Sequence, residues 1–217
     1  VKQRPLWEPD STLNLAIEDL KSYAKVSDFQ SLHKWTIENK ESFWRYVFKD
    51  SGVIGTLGDK GIVDNGFLDS EFFPDANLNI VDTLLKGDAE QIVITEISEP
   101  GVKKQYTRGQ VREIANKVAF GLQQIGLKEG DVVSAIAANV AETVFFALGA
   151  LKIGAIFSST SADFGVVTVL DRFEQIRPKV LLVTLNYQYN GKKIDCFGAQ
   201  NGAHRAFRLD GGGRSRR

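Results

Sequence analysis

The sequence predicts an α/β fold, a partial parallel sheet with flanking helices that follows a helical N-terminal extension. From residue 91 onward, short apolar runs alternate with segments of helical periodicity, which favours parallel strands joined by helices. Before that point, apolar residues recur at helical spacing. The 217 residues are 43% hydrophobic and carry 27 basic and 27 acidic side chains, which is typical of a globular protein of one or two domains.

Two helices are predicted in the extension. The first covers residues 12–25, with Ser11 as a possible cap and apolar residues at helical spacing. The second covers residues 39–48, where Phe43, Trp44, Val47 and Phe48 form a stripe that we expect to be core. Residues 51–69 contain five glycines and no periodicity, so we expect a surface loop.

A β-hairpin and a helix open the alternating region. Residues 92–97 and 102–107 are strand-like, and Glu99-Pro100-Gly101 between them suits a type II turn. Apolar residues from Val111 to Leu122 then mark one helix face, which ends at Gly126.

The remaining elements continue the alternation. We expect strands over residues 132–138, 155–157 and 179–184, with helices between them. Asn139 is the predicted cap of the first of these helices, which ends at Gly154, and Asp163 is the predicted cap of the second, over residues 166–175. The strands resemble interior strands of a larger sheet, so we expect a chain of low stability that self-associates.

Composition excludes several classes of function. The balanced charge without a dominant basic run argues against nucleic acid and anionic membranes as partners. No apolar run is long enough to span a bilayer, and the N-terminus lacks a secretory signal, so a cytoplasmic protein is expected. Cys196 is the single cysteine and His33 and His204 are the only histidines, so we expect neither an internal disulfide nor a metal site.

The two ends of the chain have unusual composition. The sequence contains no methionine, so Val1 is not expected to be a natural translation start. After Ile194 there is no Lys, Ile or Val, and residues 196–217 are rich in Gly and Arg. We expect this segment to be a disordered, out-of-frame tail, and a natural flexible basic tail is the alternative. The chain is thus predicted to have three parts. They are the helical extension over residues 1–85, the α/β region over residues 86–195 and this tail over residues 196–217.

Several motifs identify a family resemblance. The run from Gly149 to Gly165, followed by residues 169–183, resembles the acetoacetyl-CoA synthetases, a group of adenylate-forming acyl-CoA ligases. Leu127-Lys-Glu-Gly-Asp-Val-Val133 is similar to a segment common to that whole superfamily. Ser161-Ala-Asp-Phe-Gly165 is closer to the acetoacetyl-CoA synthetases than to the acetyl-CoA synthetases. The resemblance extends from about residue 5 to about residue 195.

The resemblance implies the N-terminal part of an acetoacetate–CoA ligase of fatty acid and ketone body metabolism. Such an enzyme would join acetoacetate to CoA, with ATP cleaved to AMP and pyrophosphate and with Mg²⁺ as cofactor. The family's phosphate loop ending in Lys, its adenine-binding segment and its C-terminal Lys are not found in these residues, and Ser158-Ser-Thr-Ser161 lacks the following Gly-Lys pair. We therefore expect no catalytic residue here, no tightly bound cofactor, and an inactive chain.

One pair of residues is predicted to bind a cofactor by the same resemblance. Residues 187–194 align with a loop that, in acetyl-CoA synthetase relatives, offers basic side chains to the phosphates of CoA, and Lys192 and Lys193 are the residues matched. Two solvated lysines on a turn are the alternative. An acetate or propionate ligase fragment and a non-catalytic interaction module also remain open as functions.

Overall fold

The computed structural model describes residues 10, 16–99, 101 and 103–196, and for Val166 only the backbone. It divides into two compact units, residues 1–78 and residues 79–217. The predicted boundary at residue 85 stays a prediction. So does the predicted tail over residues 196–217, of which residues 197–217 lie outside the described part. Cys196 itself is buried, and its N–H donates to the carbonyl of Leu185 at 2.9 Å.

The described part of the first unit has three helices and two small antiparallel ladders. The helices are α1 (Ala16–Ala24), α2 (Phe29–Glu38) and α3 (Lys40–Asp50). The ladders pair β1 (Gly55–Thr56) with β4 (Asn77–Leu78) and β2 (Ile62–Val63) with β3 (Glu71–Phe72). The predicted loop over residues 51–69 therefore contains two strands of two residues each.

Helix α2 was not predicted from the sequence, although Asp28 just before it is a favourable N-cap residue. The Asp28 carboxylate accepts from the N–H and hydroxyl of Ser31 at 2.8 and 2.7 Å, which satisfies one free donor of the first turn. The other two helices were predicted. Helix α1 lies inside the predicted range, of which residues 12–15 fall outside the described part.

The aromatic stripe on α3 is only partly buried, so the expectation that it forms a core was wrong. Phe43, Val47 and Phe48 are half-buried, and Trp44 remains 45% exposed. Aromatic contacts instead join neighbouring helices, since Tyr23 of α1 packs on Tyr46 of α3 with ring centroids 4.7 Å apart. A unit this small leaves a large share of its apolar surface in contact with water.

The second unit contains the predicted alternation of strands and helices. Its elements are α4 (Ile80–Leu84), β5 (Ile92–Ile97), β6 (Lys103–Thr107), α5 (Arg108–Gln124), β7 (Val132–Ala137), α6 (Ala141–Lys152), β8 (Ile156–Ser161), α7 (Val166–Ile176), β9 (Val180–Val183), β10 (Asn186–Tyr189) and β11 (Lys192–Asp195). The antiparallel β5–β6 hairpin is confirmed, and Gly101 has the positive φ predicted for its turn. Gly126 and Gly154 have positive φ just after α5 and α6, as predicted.

The parallel sheet has the strand order β8-β7-β9. Val133, Phe157 and Val180 share the face that packs against α5 and α6. Ile136 and Leu181 share the opposite face, which packs against Val169 and Phe173 of α7. The β7–α6–β8 and β8–α7–β9 connections run in opposite directions along the sheet, so equal handedness requires helices on opposite faces.

Both predicted helix caps were wrong. The cap residue of α6 is Val140 and that of α7 is Gly165, and neither position uses a side-chain acceptor from Asn139 or Asp163. In α6 the first N–H, from Ala141, is instead satisfied by a residue 45 positions earlier, which periodicity cannot reveal.

Residues 186–195 form a β-hairpin where the sequence indicated a loop. Tyr187 pairs with Ile194, and Tyr189 pairs with Lys192. Asn190 and Gly191 form the two-residue connection with φ of 51° and 70°, the left-handed conformation that a type I′ turn requires. Asn-Gly at this point is the strongest short-range signal for such a hairpin.

Thr160, which is buried, and Thr184, which is half-buried, allow a matched test of hydrogen bonding. The Thr160 hydroxyl is buried without a partner among the described residues, whereas the Thr184 hydroxyl accepts from the Ala138 N–H at 3.0 Å. We expect Thr160→Val to raise the free energy of unfolding by about 1 kcal/mol and Thr184→Val to lower it by about 1–2 kcal/mol. Urea unfolding measures both, and similar effects at the two positions would contradict the assignment.

Candidate functional site

A cavity of about 710 Å³ lies at the carboxyl ends of the parallel strands. In open α/β sheets this edge is where ligands bind, because loops rather than helices surround it. The walls come from the β5–β6 turn, from the ends of β7 and β8, and from β10. The lining residues are Glu96, Ile97, Ser98, Glu99, Ala138, Asn139, Val140, Ser161, Ala162, Asp163, Thr184, Asn186, Tyr187, Gln188 and Tyr189.

The cavity lining is acidic and polar. Three carboxylates belong to it, those of Glu96, Glu99 and Asp163, and no Lys, Arg or His is among the described lining residues. Tyr187 and Tyr189 add aromatic surface. Lys104, which is not a lining residue, pairs with Glu96, so repulsion of a polyphosphate comes mainly from Glu99 and Asp163. With no described cation in the lining, this interior suits a neutral ligand segment better than a triphosphate.

Glu96 is a lining residue whose contacts connect two elements of the cavity. Its side chain is 13% exposed, and its carboxylate accepts from the Ala141 N–H at 2.8 Å and from Lys104 Nζ at 3.1 Å. The Ala141 N–H, followed by Lys104, holds the pKa of Glu96 below its usual range despite the opposing effect of burial. Glu96 therefore caps α6 from another element and joins the β5–β6 hairpin to the helix.

We expect Glu96→Gln to lower the free energy of unfolding by about 1–2 kcal/mol at pH 7, the usual cost of losing a charged cap. Because the folded-state pKa is depressed, this stabilisation is present above the unfolded pKa of about 4.3 and is lost as the pH falls through the folded pKa. Unfolding measured from pH 7 down to pH 3 should show wild type and variant converging.

The exposed ion pair of Glu113 with Lys117 provides the control for Glu96. The two side chains are 66% and 72% exposed, so Glu113→Gln should change stability much less. An equal loss in both variants would show that Glu96 acts only as a surface charge.

The structure places Lys192 and Lys193 on β11, at the side of the cavity. Both are exposed, and neither forms an ion pair within the described part of the chain. Successive residues of a strand point to opposite faces, so the two ammonium groups do not converge on one ligand. Lys192 is paired with Tyr189 and shares its face, whereas Lys193 is paired with Gln188. Their predicted role as CoA ligands stays a prediction.

Two other motifs have structural positions. Asp131 accepts from the Lys128 N–H at 2.9 Å and from Lys179 Nζ at 2.5 Å. The segment of residues 127–133 is therefore a turn that leads into β7, and the Lys179 contact links it to the residue just before β9. Residues 158–161 form part of β8 and do not form a loop. Sequence reasoning did not identify Glu96 or Glu99, because their partners lie 45 and 91 positions away in the chain.

No described helix combines the length and apolar character needed to cross a bilayer. No group of three or more His, Cys, Asp or Glu side chains in the described part is arranged to hold a metal ion.

Comparison with known proteins gives the family and the relatives. Residues 86–208 match the model of the AMP-binding enzymes. The chain is 34% identical over 202 residues to the acetoacetyl-coenzyme A synthetase of Rhizobium meliloti (strain 1021). The aligned stretch covers 89% of this chain and 31% of the relative. It is 32% identical to the acetoacetyl-CoA synthetase of Macaca fascicularis, over 87% of this chain and 30% of the relative. The chain thus spans about a third of the length of these relatives.

A solved structure has the same fold. The acetoacetyl-CoA synthetase from Streptomyces lividans superposes with a TM-score of 0.89 at 24% identity, covering 95% of this chain and 34% of that one. The likeness confirms the predicted α/β fold class of a sheet with flanking helices and a helical extension.

Proposed function

The chain belongs to the AMP-binding enzyme family, and we propose that it forms the N-terminal part of an acetoacetate–CoA ligase. The observation that carries the proposal is the 34% identity to an acetoacetyl-coenzyme A synthetase along 89% of the chain. In the proposed reaction the acetoacetate carboxylate attacks the α-phosphate of ATP and pyrophosphate leaves. The CoA thiol then displaces AMP from the acyl adenylate and gives acetoacetyl-CoA.

The residues present do not fit ATP. A triphosphate needs a concentration of backbone and cationic donors. The cavity instead contains three carboxylates, and the Ser/Thr run of residues 158–161 is a strand whose Thr160 is buried. We therefore assign no step of adenylation to these residues.

The cavity and the lysines beside it fit CoA better than they fit ATP. CoA combines anionic phosphates with a long neutral arm, and it supplies the thiol that accepts the acyl group. Lys192 is an exposed cation with no ion-pair partner in the described part, and it shares a face with Tyr189 beside a cavity without described cations. We propose that Lys192 binds a CoA phosphate as a point charge and that the cavity admits the neutral arm. Lys193 shares its face with Gln188, which also lines the cavity. Lys192 is preferred because it is the better matched of the two in the family resemblance.

A hybrid enzyme tests the proposal. The aligned segment of the Rhizobium meliloti acetoacetyl-coenzyme A synthetase is replaced by residues 5–195 of this chain, and CoA ester formation is measured with acetoacetate, acetate and propionate. Preference for acetoacetate supports the proposal. Preference for acetate or propionate would move the function to that class, and a folded but inactive hybrid would favour a non-catalytic interaction module.

The same hybrid tests the two lysines separately. We expect Lys192→Ala to raise the KM for CoA roughly tenfold, the effect of one lost charge-assisted contact, with little change in the KM for ATP. Lys193→Ala should raise the KM for CoA by a smaller factor, because Lys193 is the less well matched of the two in the family resemblance. Equal effects of both variants would support general electrostatic attraction in place of a specific contact.

A further inference from the structure

A carboxylate from one hairpin binds the turn of another beside the cavity. The Glu99 carboxylate accepts from the Asn190 N–H at 2.8 Å and from the Gly191 N–H at 3.1 Å. Both donors belong to the type I′ turn, in which two successive residues have positive φ. Successive N–H groups in such a turn form a concavity that suits an anion, and one oxygen of Glu99 faces each N–H.

We infer that Glu99 is a positioning residue that holds the β10–β11 hairpin in place against the β5–β6 turn. Because β10 carries Tyr187 and Tyr189, which line the cavity, the Glu99 contact also places one cavity wall. The inference concerns the shape of the cavity and does not depend on the proposed function.

The described contacts of the hairpin support this role. The hairpin is a separate two-stranded ladder and is not hydrogen-bonded into the β8-β7-β9 sheet. Besides the Glu99 contact, the Cys196 thiol donates to the Ala162 carbonyl at 3.7 Å, just after β8. The Cys196 N–H bond to the Leu185 carbonyl closes the base of the hairpin itself and does not dock it. An isolated two-stranded hairpin has marginal stability in water, so its docked position depends on such contacts.

The ionised form of Glu99 makes the contact. The N–H groups of Asn190 and Gly191 lower the pKa of Glu99 against a smaller opposing effect of burial. The charged side chains on the surrounding elements are Glu96, Lys103, Lys104, Asp163, Lys192, Lys193 and Asp195. None of the lysines among them forms an ion pair with Glu99, so its ionisation is linked mainly to the turn.

The sign of the pH dependence follows from the depressed pKa. The Glu99 contact should be complete above the ordinary glutamate pKa of about 4.3 and should be lost as the pH falls through the lower, folded-state value. The hairpin should then exchange its amide hydrogens more readily while the sheet does not.

Hydrogen exchange of the whole chain, followed by mass spectrometry, tests the inference. In Glu99→Gln and Glu99→Ala we expect protection of residues 186–195 to fall on the order of tenfold at neutral pH, with β7 unchanged. Glu174→Gln removes the same charge from the exposed surface of α7 and should change neither segment. In wild type, protection of the hairpin, corrected for intrinsic exchange, should drop on acidification, and this step should be absent in Glu99→Gln.

Three results would overturn the inference. Wild-type protection of the hairpin in both Glu99 variants would show that the contact does not hold it. An acid-induced step that persists in Glu99→Gln would assign the titration to another group. Equal loss of protection in the hairpin and in β7 would show a general loss of stability.

Discussion

A polypeptide of these 217 residues should give no measurable acetoacetate-dependent exchange between pyrophosphate and ATP. Removing a single donor to a developing negative charge lowers a rate by about 10²- to 10³-fold, and several donors are needed around a triphosphate. The cavity at the strand ends has three carboxylates and, among its described residues, no cation. Without such a donor set among the described lining residues, we expect a rate below detection.

The measurement needs a positive and a negative control. Labelled pyrophosphate, ATP, Mg²⁺ and acetoacetate are incubated with the chain, with no protein, and with the hybrid enzyme described above. Exchange by the chain above the protein-free background would contradict the prediction. It would also place a phosphate site outside the cavity at the strand ends.

Local patterns predicted most of the second unit. Buried strand β7 and the amphipathic α5 follow from apolar periodicity, and the positive φ of Gly126 and Gly154 follows from their places after helices. These features depend on residues close in sequence. The same reasoning could have found the β10–β11 hairpin from Asn190-Gly191, a turn signal that the family resemblance to a loop obscured.

Features of the candidate site depend on distant residues. Asn139 and Asp163 have suitable side chains just before helices, yet Glu96, brought close by the β5–β6 hairpin, satisfies the first N–H of α6. The Glu99 carboxylate accepts from the N–H groups of Asn190 and Gly191, which lie 91 and 92 positions later in the sequence. A single sequence carries no signal for such pairs, because either partner alone resembles an ordinary surface residue. Only the location of the cavity follows from topology.

Close packing of α5 against α6 is a further feature without a local signal. The interface uses small residues, and the α6 residue Gly149 lies against the α5 backbone. A Cβ on Gly149 would lie 2.4 Å from Val118 Cγ1, 2.6 Å from Val118 Cβ and 3.0 Å from the Ala119 amide nitrogen. Two of these three atoms belong to the backbone or are attached directly to it, so a rotamer change of Val118 cannot remove the overlap.

Gly149→Ala should therefore destabilise the chain although alanine is the better helix former. The helix preference favours alanine by about 1 kcal/mol, whereas overpacking a close contact typically costs about 1–3 kcal/mol, and the short distances here indicate the upper end. Gly121→Ala is the matched control, because Gly121 lies in α5 with no atom within 4 Å of the added Cβ. We expect a net loss of about 2 kcal/mol for Gly149→Ala and a gain of up to about 1 kcal/mol for Gly121→Ala. At about 2–4 °C per kcal/mol, thermal unfolding should separate the two variants by several degrees. A Tm for Gly149→Ala equal to or above that of Gly121→Ala would show that the two helices are not packed this closely.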